Sequence, residues 1–288
     1  MDFNTLNAFV AVANAASFSQ AAEQLHLTQP AVSKRVATLE HELGTRLFDR
    51  IGRSTRLTEA GHQLLPRARQ MLQEVADIRR SISNLSGEVG GLLCMGTSHH
   101  IGLRRLPPML QEYSQRFPQV KLDIRFMDSE SACSAVEQGD LELAVVTLPP
   151  NPSGHLALQE IWRDPLCFVV GRGHPLVKVV SPSLEQIAEY PAVLAARGTY
   201  TREILEQAVQ PMNLAIQISM ATNYLETLKM LASIGLGWSL LPETMTKDGD
   251  LVVLDIRRIR LNRSLGIVTH RRRTLSNAAQ EMIEICGR

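Results

Sequence analysis

From Leu64 to Leu85 apolar residues recur without a break at steps of four and three: Leu64, Ala68, Met71, Val75, Ile78, Ile82 and Leu85. That rhythm is the a/d seam of helices that wind around one another. Thr58 stands where it can cap the segment, and Gly87, Gly90 and Gly91 break it. A helix of about 28 residues, at ~1.5 Å each, spans roughly 42 Å. One small domain cannot cover that length, so the seam is expected to pair two copies of the chain. Pro66 falls inside it and is expected to kink the first turns, because it removes an internal hydrogen bond. The seam also divides the chain into a head (1–58), a linker or dimerisation helix (59–87) and a larger region (88–288).

The head reads as short helices separated by turns. A first helix over about 3–14 places Phe3, Leu6, Phe9, Val10 and Ala13 on one face. Ser17 or Ser19 can cap a second, in which Ala21, Ala22 and Leu25 allow close packing. His26-Leu27-Thr28 then forms a tight turn. Thr28 is expected to cap a third helix that carries Pro30 in its first turn and ends at Gly44. Its inward face holds Ala31, Val32, Val36, Leu39 and Leu43. Its N-terminal half exposes Gln29, Pro30, Ser33, Lys34 and Arg35, the place where a recognition helix meets base edges in the major groove. Gln29 suits adenine, and Ser33 and Lys34 suit phosphates or base acceptors. The segment 49–56 that follows is a polar hairpin whose Arg50, Arg53 and Arg56 suit a wing against the sugar–phosphate backbone. The expected DNA-facing set is thus Ser19, Thr28, Gln29, Pro30, Ala31, Ser33, Lys34 and Arg35 with those three arginines. A plain protein-binding module with a solvated basic loop is the alternative. The coincidence of caps, turn, polar face and basic wing favours double-stranded DNA.

Beyond Gly87 strand-like runs alternate with helical ones. The strands are expected at 91–97, 120–127, 141–148, 167–171, 192–196, 216–222, 238–242 and 264–270. Alternation of this kind implies right-handed βαβ units and largely parallel sheets.

Several spaced elements of the head resemble one family closely: Ala21-Ala22, Leu25, Thr28-Gln29-Pro30-Ala31-Val32-Ser33, Leu39-Glu40, Leu43-Gly44, Leu47-Phe48, Arg50 and Leu57-Thr58-Glu59-Ala60-Gly61. They stand as in the winged helix-turn-helix of LysR-type transcriptional regulators. Length and layout extend the resemblance over essentially the whole chain. It implies an all-α winged helix-turn-helix, a long linker helix, and an α/β effector domain of two lobes similar in fold to periplasmic solute-binding proteins. It also implies a homodimer, extended to a homotetramer, with RNA polymerase as a further partner. Crossings between lobes are expected near 158–162 and 263–266, giving lobe one as 88–161 with 266–288 and lobe two as 162–265. Residues 143–146 and 235–242 match family landmarks, whereas Met127-Asp128 stands where a small residue such as glycine is commoner.

In open α/β sheets ligands bind beyond the carboxyl ends of strands, against helix N-termini. That rule selects Thr97, Ser98, His99, His100 and Ile101 after the first strand, Thr147 after the third, and Arg197, Thr199 and Thr201 after 192–196. It adds Asn223 before the helix over 225–234. Such a site favours a small organic anion. Adjacent histidines point in different directions, so His99 and His100 are poor partners for one metal, and no metal or cofactor is expected. Arg104 or Arg105 could approach the cleft, although surface exposure is the expectation. Arg271-Arg272-Arg273 reads as a solvated run.

Bulk properties only set bounds. Thirty basic against 29 acidic residues leave a net charge of +1, so DNA binding must rest on a local element. The four cysteines lack C-x-x-C spacing and read as reduced thiols. Lobe two holds only Cys167, which argues against a redox sensor. The N-terminus has no basic stretch and carries Asp2 and three asparagines, so it does not read as a signal peptide, and a transport solute-binding protein is disfavoured. No run is long and apolar enough to span a membrane; the expectation is a cytoplasmic protein. No G-x-S-x-G, G-x-G-x-x-G, Walker or H-E-x-x-H motif speaks for an enzyme.

Overall fold

The computed structural model describes residues 1–51, 54–247, 249–256 and 259–288. The backbone divides into two compact units, Met1–Ser86 and Gly87–Arg288.

The first unit runs α1 (Phe3–Ala15), α2 (Phe18–Gln24), α3 (Gln29–Leu43), β1 (Phe48–Ile51), β2 (Ser54–Leu57) and α4 (Glu59–Asn84). Asp2 opens α1 in a reciprocal box: Thr5 N donates to Asp2 Oδ1 at 2.7 Å, and Asp2 N donates to Thr5 Oγ1 at 3.2 Å. Ser17, not Ser19, caps α2 by accepting from Gln20 N at 3.3 Å. Ser19 sits exposed inside the first turn. Thr28 occupies the cap position of α3, but its hydroxyl makes no capping bond. α3 ends at Gly44, whose φ of +64° is left-handed.

Leu6, Phe9, Val12, Val32, Val36, Leu39, Phe48 and Ala68 form the head's core. Phe3 and Leu43, expected to face inward, are exposed. They lie at the first turn of α1 and the last turn of α3, where a helix end projects past the core it flanks. The wing adds a two-stranded hairpin to the helices, with Phe48 opposite Leu57 and Asp49 opposite Arg56.

α4 runs through Pro66 as one helix. Thr58 accepts from Gly61 N at 3.1 Å and donates to Arg46 O at 2.8 Å, tying the helix start to the wing. Its apolar seam divides in two. Ala68 is buried, and Leu64, Leu65 and Leu72 pack against the head's core. Met71, Ile78 and Ile82 are exposed, and Leu85, just past the last helical residue, is 85% exposed. The first part of the segment 59–87 is therefore part of the head rather than a free linker, because α1 packs on it.

The second unit contains β3 (Gly91–Thr97), α5 (His99–Arg104), α6 (Pro107–Arg116), β4 (Val120–Phe126), α7 (Ser129–Gln138), β5 (Leu143–Thr147) and β6 (Leu156–Gly171). It continues with α8 (Leu184–Ala188), β7 (Ala192–Leu194), α9 (Tyr200–Val209), β8 (Ile218–Ala221), α10 (Leu225–Ser233), β9 (Ser239–Pro242), β10 (Leu251–Val253), β11 (Leu261–His270) and α11 (Asn277–Cys286). The main sheet orders its strands β10-β6-β11-β5-β3-β4, with β9 beside β6, and β7 pairs β8 separately.

Among the described residues, strands pair in parallel where β3 joins β4 and β5 and where β7 joins β8, with one isolated parallel bridge between Ala192 and Trp238. The expectation of largely parallel sheets is thus corrected. β6 and β11 are long antiparallel partners that run from one lobe to the other, and β9 and β10 attach to β6 antiparallel as well. β6 begins far ahead of its apolar end, because 159–165 carries charges and a proline that mask a strand. Pro165 is tolerated because β9 joins only from Leu166 onward.

The β6/β11 register shifts between Leu265 and Gly266, opposite Trp162 and Glu160. A Cβ on Gly266 would lie 2.1 Å from Gln159 O, so the two backbones meet there with no room for a side chain. Lobe one packs around Leu93, Met95, Leu143, Ile267 and Met282. Lobe two packs around Leu166, Phe168, Leu205, Trp238 and Leu240. Trp162 and Leu265, assigned by sequence to lobe two, pack in lobe one. No helix among the described residues is long and apolar enough to cross a membrane.

Candidate functional site

Two sites arise from these units. In the head, the N-terminal half of α3 presents Thr28, Gln29, Pro30 and Lys34 as exposed residues, with Ala31, Ser33 and Arg35 half-buried. Gln29 Nε2 donates to Ser33 Oγ at 3.2 Å, one turn along. The pair is thereby held on one helix face, and both members keep further hydrogen-bonding capacity. Glu40, further along α3, accepts from Leu47 N at 2.7 Å and Phe48 N at 3.3 Å, fixing the wing to α3. Gly61 completes the junction: a Cβ there would lie 2.3 Å from Leu47 O. Arg56 is exposed on β2. Arg50 lies on β1, and Arg53 falls outside the described residues.

In the second unit a cavity of about 350 Å³ opens between the lobes, at the small end of the range for small-molecule sites. Of the residues expected there, Ser98, His99, His100, Thr147, Thr199, Thr201 and Asn223 line it. Three do not. Thr97 is fully buried and spends its hydroxyl on Val145 O at 2.8 Å. Ile101 turns into the core of lobe one. Arg197 is exposed in the turn before Gly198. The lining also includes Phe126, Asp128, Ser129, Glu130, Ser131, Tyr224 and Arg263. The strand-end rule, applied to β4 as it was to β3 and β5, would have found residues 128–131. Arg263 lies in β11 between the polar Asn262 and Ser264, just ahead of the expected strand at 264–270, and gave no local signal.

Arg263 is 5% exposed. Its Nε donates to Asp164 Oδ2 at 2.7 Å and its Nη1 to Thr201 Oγ1 at 3.2 Å, while Nη2 has no hydrogen-bond partner. Burial weakens its hold on its proton, and Asp164 opposes that shift. Arg105 lies half-buried, 3.6 Å from the other Asp164 oxygen and over the Trp162 ring. His100 is buried with neither ring nitrogen bonded. Burial first, and then the Arg263 charge, push it down to about 4, so the imidazole is neutral near pH 7.

Hydrogen bonds cross the cleft. Glu130 Oε1 accepts from Tyr200 N at 2.5 Å, and Asp128 Oδ2 accepts from Asn223 Nδ2 at 2.9 Å. Burial raises the Glu130 carboxyl above its ordinary value. His99 stands edge-on to both Phe126 and Tyr224, with centroids 6.0 and 5.8 Å away. The four cysteines are free. Burial pushes Cys133 and Cys286 up to about 11, and raises Cys94 and Cys167 as well, so these thiols stay protonated near neutrality. Among the described residues no group of three or more His, Cys, Asp or Glu could hold a metal.

Residues 3–62 match the family described as bacterial regulatory helix-turn-helix protein, lysR family, and residues 86–288 match the LysR substrate binding domain. The transcriptional regulator BbuR of Bordetella bronchiseptica is 30% identical over 243 residues, covering 84% of this chain and 74% of its own. The fold is similar to that of full-length CbnR complexed with its target DNA, with a TM-score of 0.63, 20% identity, and coverage of 99% of both chains. It is also similar to the effector binding domain of QuiR in complex with shikimate, with a TM-score of 0.62, 17% identity, and coverage of 68% of this chain and 95% of that one.

Proposed function

The chain belongs to the LysR family of transcriptional regulators, and from that premise we propose how its parts divide the work. The head reads double-stranded DNA with the N-terminal half of α3, where Gln29 and Ser33 address base edges. Lys34, Arg50, Arg53 and Arg56 address phosphates. Two copies pair through the exposed seam of α4, so that two recognition helices meet two half-sites. Higher assembly to a tetramer and contact with RNA polymerase follow the same premise, in the cytoplasm. The cleft holds a small-molecule effector that it binds without turning it over. Effector binding shifts the population between lobe arrangements and so changes how paired heads sit on DNA. The observation that carries the effector reading is Arg263: a buried guanidinium lining the cavity with one nitrogen unpartnered. CbnR binds its target DNA and QuiR binds shikimate, in keeping with both halves.

Footprinting on the chain's own operator tests the head. Gln29→Ala should relax selectivity at one base position by about 1–3 kcal/mol. Arg56→Ala should weaken binding to all sequences and reduce the salt slope by about one. Unchanged footprints for Gln29→Ala and Ser33→Ala together would overturn the assignment of the recognition face.

A further inference from the structure

The lining of the cavity carries charges of both signs. Arg263 lines it, and Arg263 and Arg105 flank the single carboxylate of Asp164, so the trio carries one net positive charge. Thr201 accepts from Arg263 Nη1, and Ser98 and Thr147 add further hydroxyls to the lining. Asp128 and Glu130 also line the cavity, and their cross-cleft partners are neutral, the Asn223 amide and the Tyr200 backbone N–H. No cation pairs with either carboxylate among the described residues. A charge taken out of water needs compensation; Arg263 is buried with a spare donor, and it shares one small cavity with the half-buried Glu130 and the exposed Asp128, neither of which has a cationic partner among the described residues.

We propose that the effector is a zwitterion of the amino-acid type, its carboxylate seated on Arg263 Nη2 and its protonated amine on Asp128 and Glu130. This rests on the cleft being the effector site and specifies its ligand. A simple monoanion would satisfy Arg263 and leave its apolar or neutral end against two carboxylates. A simple amine would leave Arg263 Nη2 bare. A molecule with both charges answers both Arg263 and the two carboxylates. The neutral His100 adds no third charge to this balance. The cross-cleft bonds give the amine a further effect. It competes with the Asn223 amide and the Tyr200 N–H for the same two carboxylates, so seating it alters the bonds that join the lobes.

Calorimetric titration of the full-length protein provides the test, with three matched sets of probes: L-amino acids, 2-hydroxy acids that lack the amine, and amines that lack the carboxylate. Wild type is compared with Asp128→Asn and Glu130→Gln, which keep the oxygens accepting from Asn223 and Tyr200 and so leave the unliganded fold in place. At least one amino acid should bind, and each substitution should weaken it about tenfold or more. The matched hydroxy acid should bind at least about tenfold more weakly than the amino acid, and the substitutions should leave its affinity unchanged or raise it. A hydroxy acid that binds as well as its amino acid overturns the proposal. So does indifference of amino-acid affinity to both substitutions, or failure of every amino acid to bind. Ser98→Ala separates this failure from failure of the cleft reading. If a hydroxy acid binds and loses affinity in Ser98→Ala, the zwitterion alone is rejected. If bound probes ignore Ser98→Ala, Asp128→Asn and Glu130→Gln alike, the cleft itself is rejected.

Discussion

Arg263 and Asp164 stand directly opposite one another on β11 and β6, and the guanidinium Nε donates to the carboxylate at 2.7 Å with both side chains buried. A cross-strand ion pair withdrawn from water depends on both members, because either one alone is an uncompensated charge. Asp164→Leu should therefore cost about 3–5 kcal/mol in urea unfolding of the second unit. The double variant Arg263→Met/Asp164→Leu should recover most of that loss while losing anion binding. If the single and double variants were equally unstable, the pair would not be the source of the cost.

His100 supplies a pH dependence with a defined sign. Its folded value is pushed down to about 4 from an ordinary 6.5, chiefly by burial. The stability tied to its neutral form is fully present above about pH 6.5 and is lost as pH falls through the range toward 4. Thermal unfolding of the wild type should fall more steeply over that window than unfolding of His100→Gln, which cannot take up the proton. Parallel profiles would reject the assignment.

Two glycines in the head should respond differently to alanine. Gly44→Ala meets no atom within 4 Å and bears only left-handed strain, at about 1 kcal/mol. Gly61→Ala drives a methyl against the Leu47 carbonyl and should cost about 1–3 kcal/mol or displace the wing. Chemical denaturation of the two variants, with DNA affinity measured alongside, checks the order.

The seam of α4 predicts a similar contrast. Ile78→Asp combined with Ile82→Asp changes exposed positions and should shift the chain toward monomer in analytical ultracentrifugation, with helix content retained. Ala68→Asp places a charge in the head's core and should unfold the head. An unchanged sedimentation coefficient in the double variant would place dimerisation elsewhere.

The head was legible almost residue by residue because its signals are local: Gly44 ends α3, Ser17 opens α2, and Val32, Val36 and Leu39 keep helical spacing. The seam was legible as a pattern, but its division was not, since only packing decides that Ala68 is buried while Ile82 is exposed. In the second unit, strand ends pointed to Ser98, Thr147, Thr201 and Asn223. Thr97 and Ile101 share their segment but face inward, a matter of side-chain direction that spacing alone does not settle. Arg263 was missed because its partner Asp164 is 99 positions away and meets it only through a pairing of strands that the charged stretch 159–165 conceals.

Joining the lobes through β6 and β11 as paired neighbours also has a mechanical consequence. Two independent strands would behave as a swivel, free to open widely. A hydrogen-bonded ribbon resists sliding of one strand past the other, so its softest remaining deformation is torsion about its own axis, concentrated where the ladder slips beside Gly266. An effector acting on such a ribbon works against elastic resistance, and its output is a small rotation whose size is set by stiffness rather than by the width of the cleft.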